Sequence, residues 1–385
     1  MNALLPKDWK WSHLGAVIDL VSGQHIDSQN CNVDGRGVPY ITGPSDFNDG
    51  VIVTNRYTES PRVSCKSGDV LLTVKGSGTG SLVVADKAYC ISRQLMAVRP
   101  TGANSDFVRV ILDAHTDTYN RISAGLIPGI SRGDVLNTRI ALPPHPEQRE
   151  IALTILAWRD AIEKIERLLA LHSHRKAWLL SKIILAIGSD VKLSKFLIPV
   201  SRAVPKPLEP YWALGIRSHG KGTFQRYIAD PSTVDMEEVY QVKRNDLIVN
   251  ITFAWEGAIA FVQPGDEHCV VSHRFPTYEI AGNVADYGFV KYAVNHKSFF
   301  TKLALISPGG AGRNRVLNKK DFLKLSIRLP SLDDQRKYAA VLDTAEREIA
   351  LLRKQLSAFK LQKRGLMQKL LTGQWRIKPT SAETA

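Results

Sequence analysis

Three stretches of the chain hold the residue types that bind anions. Gly215-Ile216-Arg217-Ser218-His219-Gly220-Lys221-Gly222 has the glycines and lysine of a phosphate-binding loop, but that chemistry needs Ser or Thr directly after the lysine, and Gly222 stands there. Thr223-Phe224-Gln225-Arg226-Tyr227 follows with the composition of a strand, where a phosphate loop would lead into a helix. The stretch reads as a cationic hairpin offering Arg217, His219, Lys221 and Arg226 to a phosphate backbone or to base edges, its glycines allowing close approach. Lys75-Gly76-Ser77-Gly78-Thr79-Gly80 is also glycine-rich. No acid follows it in a βαβ context, so it is no dinucleotide fingerprint; a tight hairpin, or a backbone surface set against phosphate through Lys75, Ser77 and Thr79, remains. Between Gly310 and Arg328, the cations Arg313, Arg315, Lys319, Lys320, Lys324 and Arg328 oppose only Asp321. Such a run is ordinarily a solvated face, but here Gly309-Gly310-Ala311-Gly312 precedes it, and Arg313, Asn314 and Arg315 are types that hydrogen-bond guanine or adenine edges in the major groove.

Other chemistries find no centre. Serine-hydrolase and cysteine-nucleophile signatures are missing, no paired carboxylates stand out, and there is no Asn-Pro-Pro-aromatic motif for methylating base amino groups. The cysteines, at 31, 65, 90 and 269, form no C-x-x-C pair and read as buried thiols. His172 and His174, two apart on a helix, face different directions, so no metal site and no bound cofactor are expected. A formal net charge of +14 and a pI near 9.6 attract polyanions, nucleic acid first and an acidic membrane surface second. No apolar run approaches the ~20 residues of a spanning helix, and Met1 to Trp11 lacks the apolar core of a signal peptide. A cytoplasmic location is expected.

The elements that must position these residues are dominated by one segment. From Pro146 to Ile187, apolar residues at Ile151, Ile155, Trp158, Ile162, Ile165, Leu169, Leu179 and Ile183 follow a heptad spacing on one helix face. The same stripe returns 187 positions on as Tyr338, Leu342, Ala345, Ile349, Leu352, Leu356, Leu366 and Leu370. Gln335-Arg336 answers Gln148-Arg149, Lys363 answers Lys176, and Phe359 answers His172. The chain is therefore an internal duplication. Prolines fix the start of the first helix, and Gly188 and Gly373 are placed to end the pair. Two such helices in one chain can bury their stripes on each other, as a spacer or an oligomerisation seam. The expected seam is Ile155, Trp158, Ile162, Ile165, Leu169 and Leu179 with Leu342, Ile349, Leu352, Leu356, Phe359 and Leu366.

The helices divide the chain into residues 1–143, a mixed α/β domain of short strands; 144–188, the central long helix; 189–330, a second mixed domain; 331–377, the C-terminal long helix; and 378–385, a tail expected to be disordered. In the first domain Asp106 to Ala114 reads as a short helix, and Ile130 to Asp134 as a loop before a strand at Arg139 to Leu142. The second repeats the plan in altered text. Asn245-Asp246-Leu247-Ile248-Val249 echoes Gly68-Asp69-Val70-Leu71-Leu72, and Ser272-His273-Arg274 echoes Ser92-Arg93-Gln94. Arg93, Gln94, Arg132, His273 and Arg274 join the candidate contacts to DNA. One frame presents two different surfaces.

Several of these stretches, Gly68 to Gly76, Ser92 to Leu95, Ile130 to Asp134, Leu142 to Ile151, Leu329-Pro330 with Asp334-Gln335-Arg336, and Leu366 to Gly373, resemble the specificity subunits of type I restriction-modification systems over nearly the whole chain. The resemblance implies an α+β fold with two target recognition domains separated by an antiparallel coiled coil of two long helices, related by a pseudo-twofold duplication. It implies a noncatalytic subunit, each domain reading one half of a bipartite, asymmetric site in double-stranded DNA while the helices set the spacing. Such subunits dock two modification (methyltransferase) subunits, which use S-adenosylmethionine, and restriction subunits that use ATP and magnesium. The departures, Ser331-Leu332-Asp333-Asp334 and His145-Pro146, bear on partner contacts. No base-reading residue carries over from the family. Lys176 and Lys363 are expected to reach water or a partner subunit. Rival readings are the specificity protein of another DNA-methylation or phage-defence system, or a coiled-coil scaffold with basic RNA- or protein-binding domains.

Overall fold

The computed structural model describes residues 5–48, 50–76, 78–122, 129–307 and 315–377. Two units emerge, Met1–Glu166 with Lys354–Ala385 and Arg167–Arg353, so each unit takes part of both long helices.

The first unit begins with β1 (Lys10–His13) and β2 (Ile18–Ser22), then β3 (Val38–Ile41), the small hairpin β4 (Phe47–Asn48) and β5 (Val51–Ile52), β6 (Tyr57–Thr58) and β7 (Ser64–Cys65). β8 (Val70–Thr73), β9 (Leu82–Val84), β10 (Tyr89–Ile91) and β11 (Leu95–Pro100) follow, with α1 (Ser105–Ile122), α2 (Arg132–Leu136), β12 (Arg139–Leu142) and the start of α3 (His145–Ala186). One sheet has the order β2-β11-β8-β9, a second β6-β3-β10-β7, and β1 pairs antiparallel with β12. β8 explains the layering. Its residues are all buried, and they alternate between two cores: Val70 and Leu72 pack with α1 and the long helices, whereas Leu71 packs toward the second sheet beside Ile41 and Ile91. A strand apolar on both faces belongs in the middle of such a stack.

The second unit repeats this element by element. β13 (Ser189–Lys192), β14 (Leu197–Val200), β15 (Ala203–Pro205), β16 (Tyr211–Ile216), β17 (Thr223–Ile228) and β18 (Glu238–Gln241) precede β19 (Leu247–Val249), β20 (Ile259–Phe261), β21 (Val270–Val271) and β22 (Thr277–Ile280). Then come α4 (Tyr287–Val294), α5 (Lys297–Leu305), α6 (Lys319–Lys324), β23 (Ser326–Leu329) and α7 (Leu332–Leu371). The sheets run β14-β22-β19-β20 and β15-β18-β21-β16-β17, with β13 on β23. Leu247 and Val249 face one core and Ile248 the other, as in β8. Gly68 and Asn245 precede the central strands at φ 86° and 67°, the left-handed turn that favours these residue types. Asp69 and Asp246 then each accept a backbone N–H at 2.8 Å and pair with an arginine. That arginine is Arg99 on β11 in one unit and Arg202, just after β14, in the other. By strand register, Glu279 occupies the place of Arg99, and Gly23 that of Arg202. A Cβ on Gly23 would lie 2.2 Å from the Ser92 carbonyl oxygen, so the first unit has no room for the second unit's solution.

Within each unit the long helices run antiparallel. Trp158 stacks at 5.1 Å from Phe359 in the first; in the second His172 meets Glu348 and Lys176 meets Glu346. Ile155, Ile162, Ile165, Leu342 and Ile349 are buried, and Trp158, Leu169, Leu179, Leu352, Leu356, Phe359 and Leu366 half-buried. Each helix is also clamped at its start. The buried Gln148 accepts the Asn104 N–H at 2.8 Å and donates to the Pro143 carbonyl at 2.9 Å; Gln335 does the same with Asp286 and Pro330 at 2.8 and 3.0 Å. Asn104 and Asp286 in turn accept the N–H of Phe107 and Phe289, the first turns of α1 and α4.

At its end, α3 turns into β13 through Gly188 at φ 88°, and Arg328 bonds the Gly188 and Leu185 carbonyls. The corresponding corner of the first unit joins non-contiguous chain. The Arg376 guanidinium bonds the buried Glu147 at 2.6 and 2.7 Å and Asp8 at 2.7 and 2.9 Å, and the Trp9 indole donates to Glu147 at 3.0 Å. The arginine holds Asp8 below the usual carboxylate range.

Four expectations are corrected. α1 is twice the expected length, because apolar residues continue on one face to Tyr119. Ile130 to Asp134 is no loop: Ser131 and Asp134 form a reciprocal capping box that starts α2. The lysines in the heptad stripe do not wait for a partner subunit, since Lys176 pairs with Glu346 at 2.5 Å and Lys363 with Asp113 at 2.7 Å. Cys65, Cys90 and Cys269 are buried, but Cys31 is half-exposed. Burial pushes the Cys65 thiol up to about 11. The expected disordered tail, 378–385, lies outside the described residues.

Truncating the clamp removes the partner of a part-buried N–H and of the carbonyl just before each long helix. Gln148→Ala should therefore cost about 1–3 kcal/mol in denaturant unfolding, with Gln335→Ala giving a loss of the same size.

Candidate nucleic-acid interface

β3 and β16 lie at corresponding places in the two second sheets, each parallel to the strand that precedes the Ser92 or Ser272 turn. Their neighbours β6 and β17 are the edge strands. In the first unit, this sheet borders a groove of about 860 Å³ lined by Tyr40, Thr42, Arg56, Arg93 and Gln94 together with part of residues 25–36. Two of its members are engaged locally: Asn32 accepts the N–H groups of Asp34 and Arg36, and Asp34 lies 3.4 Å from the Arg36 guanidinium. Arg56 and Arg93 are exposed and form no ion pair with any described residue.

The second unit has two smaller grooves that meet at Ser272 and Phe275. One, of about 340 Å³, is edged by His273, Lys319 and Lys320; its remaining cation, Arg202, is held by Asp246 and Glu279. The other, of about 320 Å³, is apolar, with Tyr211, Phe224, Met236 and Phe275 around the exposed Arg226. β17 is an edge strand with Phe224 to Tyr227 all exposed, yet it is braced. The buried Asp266 accepts the Thr223 hydroxyl at 2.7 Å and the Gln225 amide at 3.0 Å. Burial alone would raise the Asp266 pKa, but these bonds and the Gln263 N–H together hold it below the usual range. Trp212 and Tyr227, paired across the hairpin, stack at 5.0 Å.

The sequence-derived candidates separate on this geometry. Arg93 and Gln94 line the first groove, and Arg226, His273 and Lys319 edge the two in the second unit. Arg274 is exposed beside His273. Arg132 is engaged within its own unit, donating to the Leu20 carbonyl at 2.8 Å and to Ser22 at 3.0 Å. Lys75 is exposed in a backbone bridge to Gly129, and Thr79 closes the β8–β9 hairpin on the Gly76 carbonyl at 2.7 Å, so the tight-hairpin reading describes this loop; Ser77 lies outside the described residues. In the β16–β17 hairpin, the N–H groups of His219 and Gly220 bond the carbonyls of Glu256 and Gly257, which leaves them no phosphate to cradle. Arg217 donates to the Thr223 carbonyl and stacks over Phe224 at 5.2 Å, while Lys221 is exposed. Arg313 and Asn314 lie outside the described residues; Arg315 stacks over Trp255 at 5.3 Å.

Arg56 was missed. The signal was available: Arg56-Tyr57 and Arg226-Tyr227 are the same dipeptide, 170 positions apart. Among the described residues, no cluster of His, Cys, Asp and Glu could hold a metal ion, and no helix is long and apolar enough to cross a membrane.

Comparison with known proteins agrees with this duplicated plan. A family model described as a type I restriction modification DNA specificity domain matches residues 6–172 and again 210–360. A Methanocaldococcus jannaschii protein curated under the name of a type I restriction enzyme MjaX specificity subunit is 30% identical over 166 residues, 41% of this chain and 38% of that protein. The match thus spans well under half the length of that relative. A type I restriction-modification S subunit from M. genitalium shares the fold, with a TM-score of 0.57 at 14% identity over 96% of this chain and 97% of that one. A chain from work on complex assembly and conformational transition of the type I R-M system gives 0.58 at 16% identity, covering 97% and 100%.

The Asp266 brace makes a pH prediction. Its pKa is depressed in the folded state, so it stabilises the fold above the unfolded value of ~3.9 and loses that contribution as the pH falls through the folded value. In thermal unfolding Asp266→Ala should lower the stability of the second unit near neutrality, by about 1–3 kcal/mol. Wild type and variant should converge as the pH drops below ~3.9.

Proposed function

Because the chain belongs to the family of type I restriction modification DNA specificity domains, we propose that it is the DNA-reading subunit of such a system, each unit recognising one half of a bipartite, asymmetric duplex site. The observation that supports this most is the contrast between matching frames and unlike grooves. The first unit sets Arg56, Arg93 and Gln94 at a broad polar groove, and the second sets Arg226 in an apolar one next to His273 and Lys319. Two such surfaces select two different short sequences, so the whole site is not a palindrome. Exposed lysines and arginines supply the salt-dependent part of the affinity, and base contacts supply the choice.

The long helices set the spacing between the half-sites and dock two methyltransferase subunits. Leu168, Leu171 and Trp178 of α3 and Leu351 of α7, 45%, 65%, 60% and 66% exposed, favour a protein partner on the helices. Chemistry is the partners' part: S-adenosylmethionine serves the modification subunits, and ATP with magnesium serves restriction subunits where these join. The chain itself carries recognition rather than catalysis, in the cytoplasm.

The test is selection from random duplexes by the full-length chain, with the bound fraction sequenced. One motif of two specified parts around an unspecified gap should be enriched, and total binding should fall steeply with salt. Recovery of all sequences alike at every salt concentration would refute the proposal.

A further inference from the structure

Register places Arg56 and Arg226 at one and the same position of the duplicated sheet. Cys90 pairs with Tyr40 on β3, and Val270 pairs with Ala213 on β16; each stands two residues before its serine, Ser92 or Ser272. Tyr40 and Ala213 are therefore equivalent. Across the next pairing, Ala213 lies opposite Arg226, and the Tyr40 N–H donates to the Arg56 carbonyl at 2.8 Å, continuing the ladder in which Pro39 opposes Tyr57. The following tyrosines, Tyr57 and Tyr227, coincide as well. Around this point, the units have diverged: β6 has two residues and β17 six, and Tyr40 faces Ala213 in the comparison. Neither packing nor local charge accounts for a retained arginine. Both arginines are exposed, are among the residues lining their unit's groove, and form no ion pair with a described residue.

On the reading of the chain as a DNA-specificity subunit, on which this inference rests, we infer that Arg56 and Arg226 are corresponding base-reading residues, each contacting a guanine edge in its own half-site. A guanidinium presents two parallel N–H donors, the geometry that matches O6 and N7 of guanine in the major groove. Arg226 is carried by the edge strand β17 and Arg56 immediately precedes the edge strand β6, and both residues are exposed. The linings beside them then diversify the rest of each half-site. Arg93 and Gln94 add hydrogen-bonding groups in the first, and Phe224 and Phe275 offer apolar contact of the kind a thymine methyl takes in the second.

The test repeats the selection with full-length Arg56→Ala, Arg226→Ala, Arg56→Lys and Arg226→Lys. Arg56→Ala should flatten the preference for guanine at one position of one half-site by roughly 5- to 150-fold and leave the other half-site as it was; Arg226→Ala should do the converse. The lysine variants keep the charge and lose the planar fork, so binding to bulk DNA persists while the guanine preference at that position falls, by less than in the alanine variant because an ammonium can still donate to guanine. They decide the matter at either site where the alanine variant fails to fold. An unchanged motif, uniform weakening across all sequences, or loss confined to the same half-site for both arginines overturns the inference. A wild-type chain that enriches no motif sinks the DNA-specificity reading instead.

Discussion

Everything in this protein depends on burying one apolar stripe twice. A forty-residue helix with a heptad face is not stable alone in water; its stability comes from packing that face. Within the first unit the N-terminal part of α3 covers the C-terminal part of α7, with Ile155, Ile162 and Ile165 on one side and Phe359 and Leu366 on the other. Within the second, Ile183 and Ile184 pack with Ala339 and Leu342. Gln148 and Gln335 then tie the start of each long helix to the residue that caps α1 or α4, through a buried amide bonded on both sides. β8 and β19 contribute residues both to the core that holds the long helices and to the core of the groove-bearing sheet, so they join the two layers.

The frame leaves the outer surface free to change. Residues of β8 and β19 face apolar cores on both sides and tolerate little, whereas edge-strand and loop residues around the grooves carry no such load. The aspartate–arginine pair illustrates the limit between the two. The turn before the central strand has its carboxylate satisfied in both units, yet Arg99 does this from one strand and Arg202 from beside another; Gly23 leaves no room for the second solution in the first unit, and Glu279, in the place of Arg99, joins Arg202 instead. The constraint is the ion pair rather than the position of the arginine.

That distinction decides how much was legible in the sequence. The long helices and the duplication were readable because a heptad repeated at a fixed offset is a strong periodic signal. The echo of Gly68-Asp69 in Asn245-Asp246 was readable because few residue types adopt the left-handed turn. Candidate contacts were harder, since charge alone does not tell a cation offered to solvent from one engaged at home. Arg132 and Arg328 bond backbone carbonyls, and Lys176 and Lys363 bond carboxylates. Only pairing and burial separate these from Arg93 or Lys319. Arg56 escaped notice because β6 is a two-residue strand with too little pattern to be recognised, and its correspondence with Arg226 follows from sheet register.

The central claim is that this chain chooses a DNA sequence for partner enzymes that act on it. Long-read sequencing of modified bases in host DNA, with the gene for this chain present or deleted and everything else unchanged, measures that choice directly. The account predicts methylated adenine at one bipartite, non-palindromic motif, lost throughout the genome on deletion. The same methylated motifs with and without the chain would contradict it.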